Sequence, residues 1–194
     1  MPIFTISFCA VIVAVYLLDT FLLIPEGVTV SRKEKLLTGH NKGYLNRALR
    51  LSDEKIKKGE VWRLVSSSLL HVGMFHILTN AAAFLIVGYA VETKIGTMKT
   101  LLCYLVSAFL SGLFMAFIYH LHEGEGASPG IYGLVAVFAI LAVKNGTVLF
   151  SGVPVALLIV LAVYTVVGLF GGKTTLCEHL SGLAGGALIG LLLT

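Results

Sequence analysis

Residues 71–91 read HVGMFHILTNAAAFLIVGYAV. From Ala81 onward the run carries no charge and no amide side chain. Crossing a bilayer takes about 20 apolar residues. Lipid offers the backbone no hydrogen-bond partners, so such a run must be helical. The polar groups of this stretch, His71, His76 and Asn80, gather at its start. His76 and Asn80 are four residues apart and so share one helical face. Polar side chains at membrane depth are costly, and they mark function or helix–helix contact.

Further apolar runs lie at about 3–24, 98–119, 128–143, 148–170 and 177–193. With 74–91 they predict six transmembrane helices. The fold class expected is therefore an all-α membrane protein, a six-helix bundle forming one domain over 1–194. Composition agrees: the chain is 57% hydrophobic and 12% charged, whereas a soluble domain is about a quarter charged. Run 3–24 lacks a basic leader and a small-residue cleavage site, so it reads as an anchor. Residues 25–70 read as a polar, basic first loop, with short helices around 31–37 and 43–58. The run at 128–143 is short, so its start should lie below the membrane surface. Little sequence flanks the outer runs, and no separate soluble domain is expected.

Ten of the fourteen Lys and Arg residues fall between Arg32 and Arg63. One basic segment beside lipid headgroups suits that clustering better than a nucleic-acid-binding face. Cys9, Cys103 and Cys177 show no CxxC spacing and read as small buried hydrophobes, with no disulfide and no metal site. His40, His120 and His122 lie in polar connections and read as solvated or interfacial.

Six spans place alternate connections on opposite sides. The side holding residues 25–70, here called the front, also holds the connections near 120–127 and 171–177. Three polar features fall at front ends of spans: His76 with Asn80, Ser128, and His179. A serine nucleophile needs a base within hydrogen-bond reach, and its tetrahedral intermediate needs donors aimed at the oxyanion. This topology can supply both. Gly182, Gly186 and Gly190 repeat every four residues along one face of the last span. Such small-residue stripes let helix backbones approach closely in lipid. Gly126, Gly130 and Gly133 offer similar clearance beside Ser128.

Over residues 60–192 the sequence resembles the rhomboid intramembrane serine proteases. The motifs, in order, are Trp62-Arg63; His71, His76 and Asn80; Gly126, Ser128 and Tyr132; and His179 with Gly182 and Gly186. GYAVETKIG, with Glu92, is similar to the family's exit from its second span. The resemblance implies a serine endopeptidase that cleaves transmembrane segments of membrane proteins by a Ser–His dyad. Ser128 would be the nucleophile and His179 the general base. The Ser128 amide, His76 and Asn80 would form the oxyanion hole, and Gly126 would let the loop backbone approach substrate. Tyr132 would pack on the His179 ring. His71 would be structural, since five residues separate it from His76 and the two do not share a face. Trp62 and Arg63 would sit at the interface, the arginine snorkelling toward water. No cofactor or metal is implied. The expected partners are transmembrane substrates and the lipid bilayer, in a bacterial inner membrane.

The family commonly has glycine after the nucleophile, and here Pro129 stands there. Ser128 reads as a helix N-cap with Pro129 at the first helical position. Proline removes one amide near the oxyanion, but the Ser128 amide remains.

Rival readings are a catalytically silent rhomboid-like protein that binds membrane clients, and a small six-span transporter. Aspartyl and zinc intramembrane proteases do not fit. The two aspartates, Asp19 and Asp53, form no intramembrane pair, and HExxH is absent.

The positive-inside rule would put the basic front in the cytoplasm, whereas the resemblance puts it outside. We follow the resemblance. A cysteine introduced as Lys58→Cys should then react with a membrane-impermeant thiol reagent added outside intact cells. Labelling only after the membrane is opened would reverse the assignment.

Overall fold

A computed structural model describes residues 1–35, 39, 42–145, 155–170 and 172–194. Helix α1 (Ile3–Leu17) continues into a π-helical turn, Leu18–Leu22. The first loop carries short helices α2 (Tyr44–Leu49), α3 (Asp53–Lys57) and α4 (Arg63–Ser66). The long helices are α5 (Met74–Ile95), α6 (Thr97–Phe117), α7 (Ser128–Asn145), α8 (Val155–Leu169) and α9 (Lys173–Leu193). Among the described residues the extended pairing is one isolated bridge, Leu51 with Gly124, which joins the first loop to the segment before α7.

Four helical stretches are long and apolar enough to cross a membrane: Ile3–Leu22, Met74–Ile95, Thr97–Phe117 and Lys173–Leu193. Helices α7 and α8 are shorter, so four of the six expected spans have full crossing length among the described residues. Residues 148–154, expected to begin the fifth span, lie outside the described residues. So do residues 146 and 147 of the connection near 144–147, the end of the short helix expected at 31–37, and His40.

Two boundaries and one helix cap differ from expectation. Helix α7 begins at Ser128, whose preceding residue Ala127 accepts the Ile131 amide at 3.1 Å. Ala127 therefore stands at the cap, and Ser128 is the first helical residue. Helix α9 starts at Lys173, not near 177, which puts His179 in its second turn. Helix α5 runs past 91 to Ile95 and takes in Glu92.

That extension has a physical reason. The Glu92 carboxylate accepts the Phe4 amide (3.0 Å), the Thr5 amide (2.8 Å) and the hydroxyls of Thr5 and Thr97 (both 2.7 Å). The first amides of a helix have no intrahelical acceptor, and they favour a negative charge. Glu92 thus caps α1 and binds it to the end of α5. Phe4, Phe8, Phe84 and Tyr104 then interlock α1, α5 and α6, with ring centroids 4.7–5.9 Å apart.

Helix α7 is the centre of the bundle. Ile131, Tyr132, Leu134 and Val137 are fully buried on different sides of it, as a helix apolar all round requires. Its tightest neighbour is α9. A Cβ at Gly182 would collide with the Pro129 carbonyl, and one at Gly186 with the Gly133 backbone. The small-residue stripe thus brings two backbones into contact, as lipid-embedded helices favour.

Gly186→Val should cost about 1–3 kcal/mol through overpacking. Glu92→Ala should cost about 2–3 kcal/mol, because it strands amides that bond to a charged acceptor. Unfolding midpoints in detergent micelles check both, and an unchanged midpoint would contradict the contact concerned.

Candidate active site

One cavity of about 600 Å³ gathers the polar residues singled out from the sequence. Helix α5 contributes His76 and Asn80, α7 contributes Ser128, and α9 contributes His179. Phe75 and Ala83 of α5 face Val163, Tyr164 and Val167 of α8 as its apolar walls. Glu125 and Glu178 line it as well.

His179 is buried and its ring is held on two sides. It stacks on the Tyr132 ring, with centroids 3.9 Å apart and planes 11° from parallel. Its Nδ1 lies 3.0 Å from the Gly168 carbonyl oxygen. A carbonyl only accepts, so Nδ1 carries the proton and Nε2 keeps its lone pair. A backbone carbonyl of α8 thus sets the tautomer. Tyr132 is itself anchored, since its hydroxyl donates to the Thr165 carbonyl at 2.8 Å.

Ser128 is also buried, at the first turn of α7. Its hydroxyl makes no hydrogen bond among the described residues. Catalytic hydrogen bonds are often long before substrate arrives. Gly126 precedes it with φ 140°, a conformation that favours glycine. A Cβ there would also sit 3.0 Å from the His76 ring, so a larger residue would press on the His76 side of the cavity.

Asn80 is 1% exposed. Its Oδ1 accepts the Tyr164 hydroxyl at 2.6 Å, and its Nδ2 is buried with no partner among the described residues. Pinning the oxygen leaves the amide nitrogen as the spare donor of a residue that lines the cavity. An unpaired buried donor costs about 1–3 kcal/mol, a cost that an acceptor on a ligand would remove.

The remaining residues singled out stand outside the cavity lining. Gly182 and Gly186 pack α9 on α7. Glu92 caps α1 at the opposite end of α5. Trp62 is 52% exposed, as an interfacial ring would be, but Arg63 is 3% exposed and does not snorkel. Its guanidinium meets Glu60 at 2.6 Å and donates to the Arg50 carbonyl at 2.8 Å and the Arg47 carbonyl at 3.2 Å. A planar fork with five donors suits gathering loop carbonyls better than reaching solvent.

Tyr164, Gly168, Glu125 and Glu178 were not foreseen as part of the site. Tyr164 and Gly168 lie in an apolar run without a motif. The glutamates were visible, each close to a singled-out residue, but they fall near span ends, where acids are ordinary.

A sequence profile of the family described as "Rhomboid domain" matches residues 58–194. The chain is 29% identical over 131 residues to "Rhomboid protease GluP" of Bacillus subtilis, covering 68% of this chain and 26% of that protein. It is 32% identical over 146 residues to "RHOMBOID-like protein 4" of Arabidopsis thaliana, covering 74% of this chain and 37% of that protein. It is also 27% identical over 112 residues to "Inactive RHOMBOID-like protein 8" of Arabidopsis thaliana, covering 58% of this chain and 32% of that protein. The chain thus spans well under half the length of these curated relatives.

His71 stands behind this cavity, its ring 4.9 Å from that of His76 and 6% exposed. Burial, reinforced by the neighbouring His76, pulls its imidazole from the ordinary 6.5 down to about 3. The unfolded chain therefore binds a proton here more readily than the folded one. Stability contributed by neutral His71 is complete above 6.5 and is lost as pH falls from 6.5 toward 3. His71→Gln should flatten the fall in thermal midpoint over that window, and an unaltered pH profile would dissociate His71 from acid unfolding.

Proposed function

The chain belongs to the rhomboid family, and we propose that it is an intramembrane serine endopeptidase working through a Ser128–His179 dyad. The observation that carries this reading is the state of His179. Stacked on Tyr132 and donating from Nδ1 to Gly168, it keeps Nε2 as the base, in the cavity that Ser128 also lines. No carboxylate is needed to orient it.

The bundle is a six-span one, with the short α7 enclosed by the others and α8 at the side of the cavity. A substrate helix reaches the cavity laterally between α5 and α8, the two elements that form its apolar walls. Ser128 Oγ attacks the scissile carbonyl carbon while His179 Nε2 takes the hydroxyl proton. The carbonyl oxygen becomes an oxyanion, met by Asn80 Nδ2, the His76 ring and the Ser128 amide. Each such donor typically contributes about 3 kcal/mol to the transition state. Collapse breaks the C–N bond, and the imidazolium returns its proton to the leaving amine. Water from the front then attacks the acyl-enzyme, with His179 again as base, and releases the new carboxyl terminus.

A second reading is a catalytically silent member that binds membrane clients. It is favoured by the unbonded Ser128 hydroxyl and by the relative named inactive.

One experiment separates the two. Purified protein is offered a transmembrane substrate with a helix-destabilising segment, alongside Ser128→Ala and a fluorophosphonate probe. Cleavage and labelling by wild type, both lost in Ser128→Ala, are the expected results. No labelling and no cleavage would leave the silent reading. Asn80→Ala should lower kcat by about 100-fold, and an unchanged rate would remove Asn80 from the oxyanion hole.

A further inference from the structure

We propose that the first loop carries a binding site for the phosphate of an anionic phospholipid headgroup, formed by Arg47, Arg50, Ser52 and Lys55. None of these residues lines the catalytic cavity. The site is tested by binding alone, so it stands or falls independently of the protease reading above.

A recess of about 160 Å³ is lined by Arg47, Arg50, Ser52, Lys55, Arg63 and Glu123. Four of these six are cations and one is an acid. Two of the cations are matched within the fold: Arg50 pairs with Glu123, and Arg63 with Glu60. The other two meet no carboxylate among the described residues. Lys55 Nζ reaches the Arg47 carbonyl at 3.4 Å, and the Arg47 guanidinium has no acceptor there at all. The Ser52 hydroxyl precedes α3 without bonding to it.

The fold holds these cations together. Arg63 is buried and donates to the carbonyls of Arg47 (3.2 Å) and Arg50 (2.8 Å), which fixes the backbone that carries both. Burial lowers the Arg50 pKa from its ordinary value, and the like charges of Arg63 and Arg47 lower it further, against the attraction of Glu125. Cations gathered so closely repel unless an anion stands among them. Planar guanidinium forks match phosphate oxygens two at a time.

The surroundings choose the source of the phosphate. Tyr44 lies one turn before Arg47 on α2, and Val61 and Trp62 directly precede Arg63; all three are exposed. Tyr and Trp rings favour the depth of lipid headgroups. The loop that carries them joins the apolar helices α1 and α5. A lipid can offer its phosphate to the cations and its glycerol and acyl carbons to the rings, whereas free phosphate offers only the first. A recess with excess positive charge also sorts among lipids. A choline headgroup brings its own cation, and phosphatidylglycerol brings none.

The test uses the whole protein in maltoside micelles. Retained lipid is counted by native mass spectrometry as short-chain phosphatidylglycerol or phosphatidylcholine is added, with inorganic phosphate and a polyglutamate peptide as competitors. Phosphatidylglycerol should bind saturably and about tenfold more tightly than phosphatidylcholine. Arg47→Gln and Lys55→Gln change exposed side chains, and each should weaken it about tenfold. Lys57→Gln combined with Lys58→Gln removes two charges from the same loop outside the recess, and should leave binding nearly unchanged. Equal binding of the two lipids overturns the proposal, as does phosphatidylglycerol binding that survives Arg47→Gln and Lys55→Gln. An equal loss in the Lys57 and Lys58 variant would mean diffuse surface charge and overturns it too. Displacement by equimolar inorganic phosphate would assign the recess to a free anion, and displacement by equimolar polyglutamate to an acidic protein; either removes the lipid.

Discussion

Helices α7 and α9 meet backbone to backbone, Gly182 against the Pro129 carbonyl and Gly186 against Gly133. Everything at the site depends on that contact. A side chain on either glycine would push the helices apart, and Ser128 and His179 are carried one on each. The contact also explains an offset in depth. Ser128 opens α7 while His179 lies in the second turn of α9. Glycines spaced by four on α9 slide past the start of α7 until the two residues line one cavity.

The chemistry then turns on a weaker neighbour. Helix α8 supplies the carbonyl that orients His179, the Thr165 carbonyl that anchors Tyr132, and the hydroxyl that orients Asn80. None of these is a charged group. A neutral carbonyl fixes the imidazole tautomer without stabilising imidazolium as strongly as a carboxylate would. The arrangement orients the His179 imidazole without burying another charge, which lipid makes expensive. It also joins the side of the cavity proposed for substrate passage to the residues that would perform the reaction.

The first loop is tied to the same centre by polar bonds. The Asp19 carboxylate, at the end of α1, accepts the amides of Leu45 and Asn46 at 2.7 and 3.2 Å and so holds α2 in place. The Asn46 side chain reaches Glu125, three residues before Ser128. Arg63 gathers the carbonyls at 47 and 50 from beneath. The described part of the basic loop from Tyr44 onward is thus held to the bundle by specific bonds, which composition alone would not suggest.

The sequence by itself determined that this chain is helical and membrane-embedded, because long apolar runs in lipid admit few other structures. It also singled out His76, Asn80, Ser128 and His179, which stand out against apolar runs and in family order, and which line one cavity in the structure. Boundaries were less legible. The end of α5 moved to include Glu92 because a carboxylate was needed by amides 87 and 88 residues away. No local pattern carries that. The inward turn of Arg63 likewise depended on carbonyls gathered by the folded loop. Only the tertiary structure decided what His179 and Asn80 bond to, since Gly168 and Tyr164 are ordinary residues of an apolar run until packing brings them there. Only it decided, too, that Glu125 near a span end takes a hydrogen bond from Asn46 of the first loop. Periodicity records which face of a helix is apolar; partners between helices are set by how those faces dock.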